Sequence, residues 1–141
     1  MSQDRRHARH AAFQTLFEVD QTRHEPDEAL EHRLGHEQEL APLGVEFARA
    51  LVAGVLDNKA RIDEIIARAA QSWPVEQIAA TDRVALEIGT FELSFGDGTP
   101  VEVAVNEAVE LAKTFGGQNS AAFVNGVLRT IAEGLTAKIL V

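Results

Sequence analysis

The sequence predicts an all-α fold of six or seven helices, and three observations carry that prediction. Apolar residues recur at three- and four-residue intervals through nearly every segment. No stretch sustains the apolar–polar alternation of a half-buried strand. Gly35, Pro42, Gly44, Pro74, Gly96, Gly98, Gly116 and Gly117 fall between the periodic segments, where they act as punctuation. At 141 residues the chain is most simply one domain, long enough to bury a sizeable core.

Arg5 to about Gln21 forms the first helix, with Ala12, Phe13, Leu16, Phe17 and Val19 on one broad apolar face. Asp27 to about His36 makes a modest second helix before Pro42 and Gly44. The strongest stripe follows, running from Phe47, Ala48, Leu51, Val52, Val55 and Leu56 to Ile62, Ile65, Ile66 and Ala69. Asp57, Asn58 and Lys59 interrupt it, which leaves two helices or one long bent helix open. Ser72-Trp73-Pro74 is a break with a new helical start, because proline suits the first helical turn.

Thr81 is positioned to cap the next helix, on which Val84, Ile88, Phe91 and Phe95 repeat. Gly96-Asp97-Gly98 reads as a turn. Thr99-Pro100 reads as cap and first residue of a helix bearing Val101, Ala104, Val105, Ala108, Leu111, Ala112 and Phe115. Gly116-Gly117 ends that helix, and Asn119 or Ser120 caps the last one, with Phe123, Val124, Val127, Leu128, Ile131 and Leu135 inside. Val124-Asn125-Gly126-Val127 also has the form of a two-residue hairpin turn, but the apolar spacing across it is helical. A glycine inside a helix costs about 1 kcal/mol relative to alanine, so Gly126 is expected to allow a neighbouring backbone to pack closely. Asn106 and Asn125, within otherwise apolar helices, are expected to be buried amides paired across two helices.

Charge is unevenly distributed. The net charge is −9, with a pI near 4.9, yet Arg5, Arg6 and Arg9 sit within the first ten residues against a single acid, Asp4. That segment carries +2 and the remaining 131 residues −11. The three arginines lie within a turn of one another, at the end of a helix where the backbone dipole disfavours cations by about 0.3–1 kcal/mol each. A cationic cluster at that end points to an anionic ligand, bound locally rather than over the whole molecule.

Zero cysteines excludes disulfides, thiolate catalysis and cysteine-ligated metal sites. No apolar run approaches the ~20 residues of a membrane helix, and the charged amino terminus lacks a signal-peptide core. These features suit a cytoplasmic protein. His32 and His36 have the i, i+4 spacing of two metal ligands, but the glutamate of a His-Glu-x-x-His motif is missing and Gly35 intervenes. No phosphate loop, nucleophile elbow or acid/base pair appears. The reading is a non-enzyme with no catalytic residue, no metal and no cofactor.

The segment Val101-Glu102-Val103-Ala104-Val105-Asn106-Glu107-Ala108-Val109-Glu110-Leu111-Ala112-Lys113-Thr114-Phe115-Gly116, followed by Phe123-Val124-Asn125-Gly126-Val127-Leu128, resembles the NusB transcription-antitermination family. So do the opening Arg5-Arg6-His7-Ala8-Arg9 and the segment from Leu86 to Leu93. The resemblance runs over nearly the whole chain. It implies two packed helical subdomains, about 1–70 and about 73–141. It also implies a role in antitermination: binding boxA-type single-stranded RNA of nascent ribosomal RNA transcripts together with NusE, a ribosomal protein, in the RNA polymerase antitermination complex. A related domain fronts some ribosomal RNA cytosine methyltransferases, for whose methyl-donor domain these residues leave no room.

By the same resemblance, RNA contacts fall on Arg5, Arg6 and Arg9 and on a second region, Lys113, Phe115, Gly116, Gln118, Asn119, Ser120 and Phe123. Guanidinium forks pair with phosphates and stack on unpaired bases, and a helix start with glycines and capping side chains can receive a phosphate. The polar residues of that loop also suit capping, and the two phenylalanines suit a core. Asp82, Arg83, Leu86 and Glu92 lie on the helix the family presents to NusE, and an acidic surface suits a basic ribosomal protein. The chain departs from the family pattern at His7, His10, Glu87, Asn119, Ala122 and Arg129. Asn119 stands where an aspartate is frequent, removing a charge that repels RNA, and Glu87 stands at a basic position of the partner-facing surface. The alternative function is a helical protein–protein adaptor or self-associating homodimer with RNA binding secondary.

Overall fold

The computed structural model describes residues 2–36, 40–71, 74–96 and 98–136. The described residues form seven α-helices: α1 (Ser2–Gln21), α2 (Pro26–Gly35), α3 (Pro42–Asp57), α4 (Lys59–Ala69), α5 (Ala80–Ser94), α6 (Val101–Phe115) and α7 (Ser120–Thr136), with one 3₁₀ turn at Val75–Gln77. Among the described residues there is no strand. The predicted break at Ser72-Trp73 and the Asp97 of the predicted turn lie outside the described residues. Beyond that break, the chain re-enters helical structure at the 3₁₀ turn just after Pro74.

The chain divides into two compact units, residues 1–56 and 57–141. The division falls at the α3/α4 junction, earlier than the expected boundary near residue 70. The Asp57-Asn58-Lys59 interruption therefore resolves as two separate helices, and α4 belongs with the second unit.

In the first unit α1 packs on α2. The predicted apolar face of α1 is inward: Ala12, Phe13 and Leu16 are buried, and Phe13 stacks on Phe17 at 6.3 Å between ring centroids. Helix α2 begins at Pro26, whose fixed φ fits the first helical position and whose missing N–H has no intrahelical acceptor there anyway. It buries only Ala29 and Leu30, and Arg49 of α3 pairs with Glu31 on it.

In the second unit α5 is the central helix, packed against α4, α6 and α7. Every residue from Val84 to Thr90 is buried, so its middle is enclosed on all sides rather than along one stripe. Around it lie Ile62, Ile65 and Ile66 of α4, Val105, Ala108 and Leu111 of α6, and Val124, Leu128 and Ile131 of α7. Burying each such aliphatic side chain contributes about 1.5–3 kcal/mol.

Several local expectations are corrected. Gly126 is helical, which removes the hairpin alternative, but a Cβ there would meet nothing within 4 Å. The close approach is at Gly89, where a Cβ would lie 2.7 Å from Leu128 Cδ1 and 3.1 Å from the Ala108 Cβ. Asn106 is exposed and Asn125 half-buried, so they form no buried amide pair. Helix α5 starts from Ala79 with no side-chain cap, since Thr81 falls inside its first turn. Pro100 is the N-cap of α6 and Val101 its first residue, one position later than predicted.

Candidate nucleic-acid interface

Arg5 and Arg6 are exposed on the first turns of α1, whereas Arg9 is 2% exposed. The three arginines thus do not form one solvated comb: the face that brings position 9 near positions 5 and 6 also carries it inward, between the buried Ala8 and the intermediate His10. Two guanidiniums share one aromatic ring. The Cζ atoms of Arg5 and Arg9 lie 4.6 Å and 5.0 Å from the centroid of Phe47 on α3. Each such contact is attractive by about 0.5–1 kcal/mol at exposed sites and by more when desolvated. This offsets the repulsion of like charges one turn apart.

Asp4, beside them, faces α3 as well. Its Oδ1 accepts the Ala41 N–H at 3.1 Å, at the N-cap of α3, and its carboxylate occupies the space a Cβ on Gly44 would need. A carboxylate at a helix N-terminus satisfies an orphan donor and complements the dipole.

In the second unit, Lys113 is exposed and pairs with Glu110 at 3.3 Å, a solvated i, i+3 contact of little energetic weight. Gly116 closes α6, its N–H donating to the Ala112 carbonyl at 2.8 Å. A side chain there would collide with Ser120. The Gly117 N–H donates to Ser120 Oγ at 2.9 Å, and the Ser120 N–H donates back to the Gly117 carbonyl at 3.2 Å. The loop is therefore closed on itself by Ser120, which is buried and spends its hydroxyl on loop structure. Asn119 is the backbone N-cap of α7, its carbonyl accepting the Phe123 N–H at 3.1 Å. Gly117, Gln118 and Asn119 are exposed, while Phe115 and Phe123 are half-buried. The tight α6–α7 turn thus presents a short polar edge on a rigid base.

Of the residues expected to meet a protein partner, Asp82 and Arg83 are half-buried at the start of α5. Arg83 donates to the Ile78 carbonyl at 3.1 Å, and Asp82 Oδ1 is buried without a hydrogen-bond partner. Leu86 is fully buried and Glu92 is 4% exposed. Both face the unit's interior because α5 is enclosed through its middle, so neither offers a surface contact. Glu87 is corrected likewise. It is buried, with Oε2 2.7 Å from Lys59 Nζ, and Lys59 also reaches Asp63 Oδ2 at 3.1 Å. Burial, reinforced by Asp63, pushes the Glu87 carboxyl up to about 8, against the pull of Lys59. For Lys59 partial burial works against the charge, but hydrogen bonds to Glu87 and Asp63 outweigh it and hold the ammonium above its ordinary range. Arg129 binds Glu102 through both terminal nitrogens, at 2.7 and 3.1 Å, so this departure from the family pattern becomes an α6–α7 ion pair.

His32 and His36 approach ring to ring at 4.7 Å, but His36 Nδ1 is engaged with the His32 carbonyl at 2.9 Å. Among the described residues no three metal-ligating side chains cluster, and no helix is long and apolar enough to cross a membrane. Phe47 and Asp4 were not singled out by sequence reasoning. Phe47 reads as one more member of an apolar stripe, and no local signal marks its ring as the seat of two arginines.

These helices define a class of fold, all-α in two compact units, and it is the fold of solved NusB structures. T. maritima NusB matches with a TM-score of 0.83 at 34% identity, over 92% of this chain and 90% of that one. A structure of the antitermination factors NusB and NusE in complex with double-stranded RNA matches with a TM-score of 0.87 at 26% identity, over 95% of this chain and 99% of that one. The chain belongs to the NusB family, which matches it over residues 6–133. The transcription antitermination protein NusB of Chloroflexus aggregans is 46% identical over 98% of this chain and 93% of its own length.

Proposed function

We propose that this chain is a non-catalytic, cytoplasmic transcription antitermination factor that binds boxA-type single-stranded RNA of nascent ribosomal RNA transcripts together with NusE, within the RNA polymerase antitermination complex. The observation that carries this reading is the exposure of Arg5 and Arg6, at the arginine-rich start typical of the family, on a chain that is otherwise −11. Arg5 and Arg6 contact the transcript directly, and buried Arg9 acts through its neighbours. The exposed Lys113, Gln118 and Asn119, with the ring edges of Phe115 and Phe123, give the RNA its second contact. Gly116 and Ser120 hold that turn in shape. NusE, being basic, docks on acidic helix surface around Asp82 and Arg83, which Leu86 and Glu92 support from within.

A mobility-shift titration with a boxA-type oligonucleotide tests this, with and without purified NusE. Replacing Arg5 and Arg6 together by Ala should weaken binding without unfolding the protein. The log–log salt dependence should become shallower by about 0.7 per lost phosphate contact. Because one structural neighbour holds double-stranded RNA, the duplex form serves as competitor, and stronger binding to it would overturn the single-strand assignment. The alternative is a self-associating adaptor. The exposed apolar side chains Phe95, Val101 and Val103 favour that reading, and a dimer that RNA cannot dissociate in light scattering would establish it.

A further inference from the structure

We propose that Phe47 is the positioning residue of the RNA-binding arginines: its ring holds the Arg5 and Arg9 guanidiniums, at 4.6 Å and 5.0 Å, so that Arg5 is presented to single-stranded RNA already ordered. This rests on the functional reading above and deepens it.

The chemistry requires such a device. Arg5 and Arg9 are like charges at i, i+4, near a helix end whose dipole opposes them, and long side chains carry much rotamer entropy. An arginine left to solvent must surrender that entropy when RNA arrives, whereas one already ordered has little left to lose. A ring face beneath the guanidinium orders it without neutralising it, as a carboxylate partner would. The two arginines differ in access. Arg9 is 2% exposed and Arg5 is exposed, so the one ring is in contact with a buried cation and a solvent-facing one.

An independent observation fixes the ring's place. Asp4 Oδ1 accepts the Ala41 N–H at 3.1 Å, and its carboxylate fills the space above Gly44. Gly44 and Phe47 are three residues apart on α3 and therefore share one face of it. The first turn of α1 is thus fastened to the first turn of α3, and one turn further along α3 the Phe47 ring meets the arginines that follow Asp4 on α1. A structural filler would need only the apolar volume of Phe47, not its π face.

The test separates volume from ring. In the free protein, the side-chain NMR resonances of Arg5 and Arg9 should show upfield ring-current shifts, kept in F47Y and lost in F47L. Fluorescence anisotropy with a labelled boxA-type single-stranded RNA should give F47L a Kd about five- to tenfold weaker, with F47Y within about twofold of the parent chain. If F47L loses its cooperative melt, F47M takes its place in both measurements. RNA binding by the folded aliphatic variant equal to that of the parent chain overturns the inference, as does the absence of ring-current shifts in the parent chain. If the parent chain binds no RNA while the shifts are present, the functional reading itself has failed, and the inference falls with it.

Discussion

Asp4 and Ala41 are joined by a hydrogen bond of 3.1 Å from the Ala41 N–H to Asp4 Oδ1, so an acid on the first turn of α1 caps α3. The two lie 37 positions apart, and the contact satisfies the N-cap N–H as the N3 side chain of a capping box would, at a place where α3 has Gly44. Asp4→Ala should cost about 1–2 kcal/mol, in the range of a lost N-cap. Gly44→Ala should cost less, because the methyl group displaces only the mobile end of Asp4 and gains about 1 kcal/mol of helix propensity in return. Asp4→Asn should also cost less than Asp4→Ala, since an amide oxygen accepts the bond but lacks the charge that complements the dipole. Thermal melts rank the three, and an unchanged midpoint in Asp4→Ala would remove the cap from the account.

Gly89 and Gly126 should respond in opposite directions to the same substitution. A methyl group at Gly89 meets Leu128 Cδ1 at 2.7 Å in a region where Leu128 is fully buried and cannot swing away. Gly89→Ala should therefore destabilise by about 1–3 kcal/mol, the usual cost of overpacking. Gly126 is helical, exposed and unopposed within 4 Å, so Gly126→Ala should stabilise by about 0.5–1 kcal/mol through helix propensity and a less flexible unfolded chain. Denaturant titrations of both variants check the pair. A destabilised Gly126→Ala would mean that this helix face has a neighbour in solution.

The contrast between these glycines marks what was legible in the sequence. The helical segments follow from 3.6-residue periodicity and punctuation, because those signals are local, although the division between α3 and α4 stays open until the fold is seen. The arginine cluster, the Gly116-Gly117 stop and the family assignment were legible for the same reason. What escaped depends on partners distant in sequence. Nothing near Gly126 says that its helix face is open while that of Gly89 is crowded by α6 and α7. Glu87 reads as a surface charge until α5 proves to be enclosed through its middle, and the burial of Leu86 and Glu92 is hidden from a helical wheel for the same reason. Arg9 looks equivalent to Arg5 on a helical wheel, yet one is buried and the other is not. Caps erred by one or two residues, since Thr81 and Thr99 have the right chemistry at positions the backbone uses otherwise.

Asn119 allows stability and RNA affinity to be moved apart. It is exposed at the N-cap of α7, on the polar edge between α6 and α7. Asp and Asn cap helices almost equally well, and a negative charge there gains from the dipole. Asn119→Asp should therefore leave the melting midpoint unchanged or slightly higher. On the proposed RNA-binding reading the same charge would face the phosphates of a bound transcript, so affinity should fall by about three- to tenfold at low salt, with the gap narrowing as salt is added. Anisotropy titrations at several salt concentrations measure this. Equal affinity at low salt would exclude the α6–α7 turn from the RNA-contacting surface.

Glu87 gives the chain a dependence of stability on pH whose sign can be worked out. Its carboxyl titrates near 4.5 when free of the fold and is pushed up to about 8 in it, chiefly by burial, with Asp63 adding to the effect and Lys59 opposing it. Between those two values the folded protein retains a proton that the unfolded chain releases. Linkage then requires stability to be fully present below pH 4.5, to decline as pH rises, and to level off once pH passes about 8. Lys59, held above its ordinary range by Glu87 and Asp63, stays charged throughout that window and adds no slope of its own. Glu87→Gln keeps the shape and the neutrality of the protonated acid while removing the titration. Between pH 5 and 8 the parent chain should lose roughly 4 °C or more of melting midpoint relative to this variant, measured in buffers of matched ionic strength. Parallel curves, or a parent chain that gains on the variant as pH rises, would mean that Lys59 keeps Glu87 ionised and that the α4–α5 contact is a full ion pair.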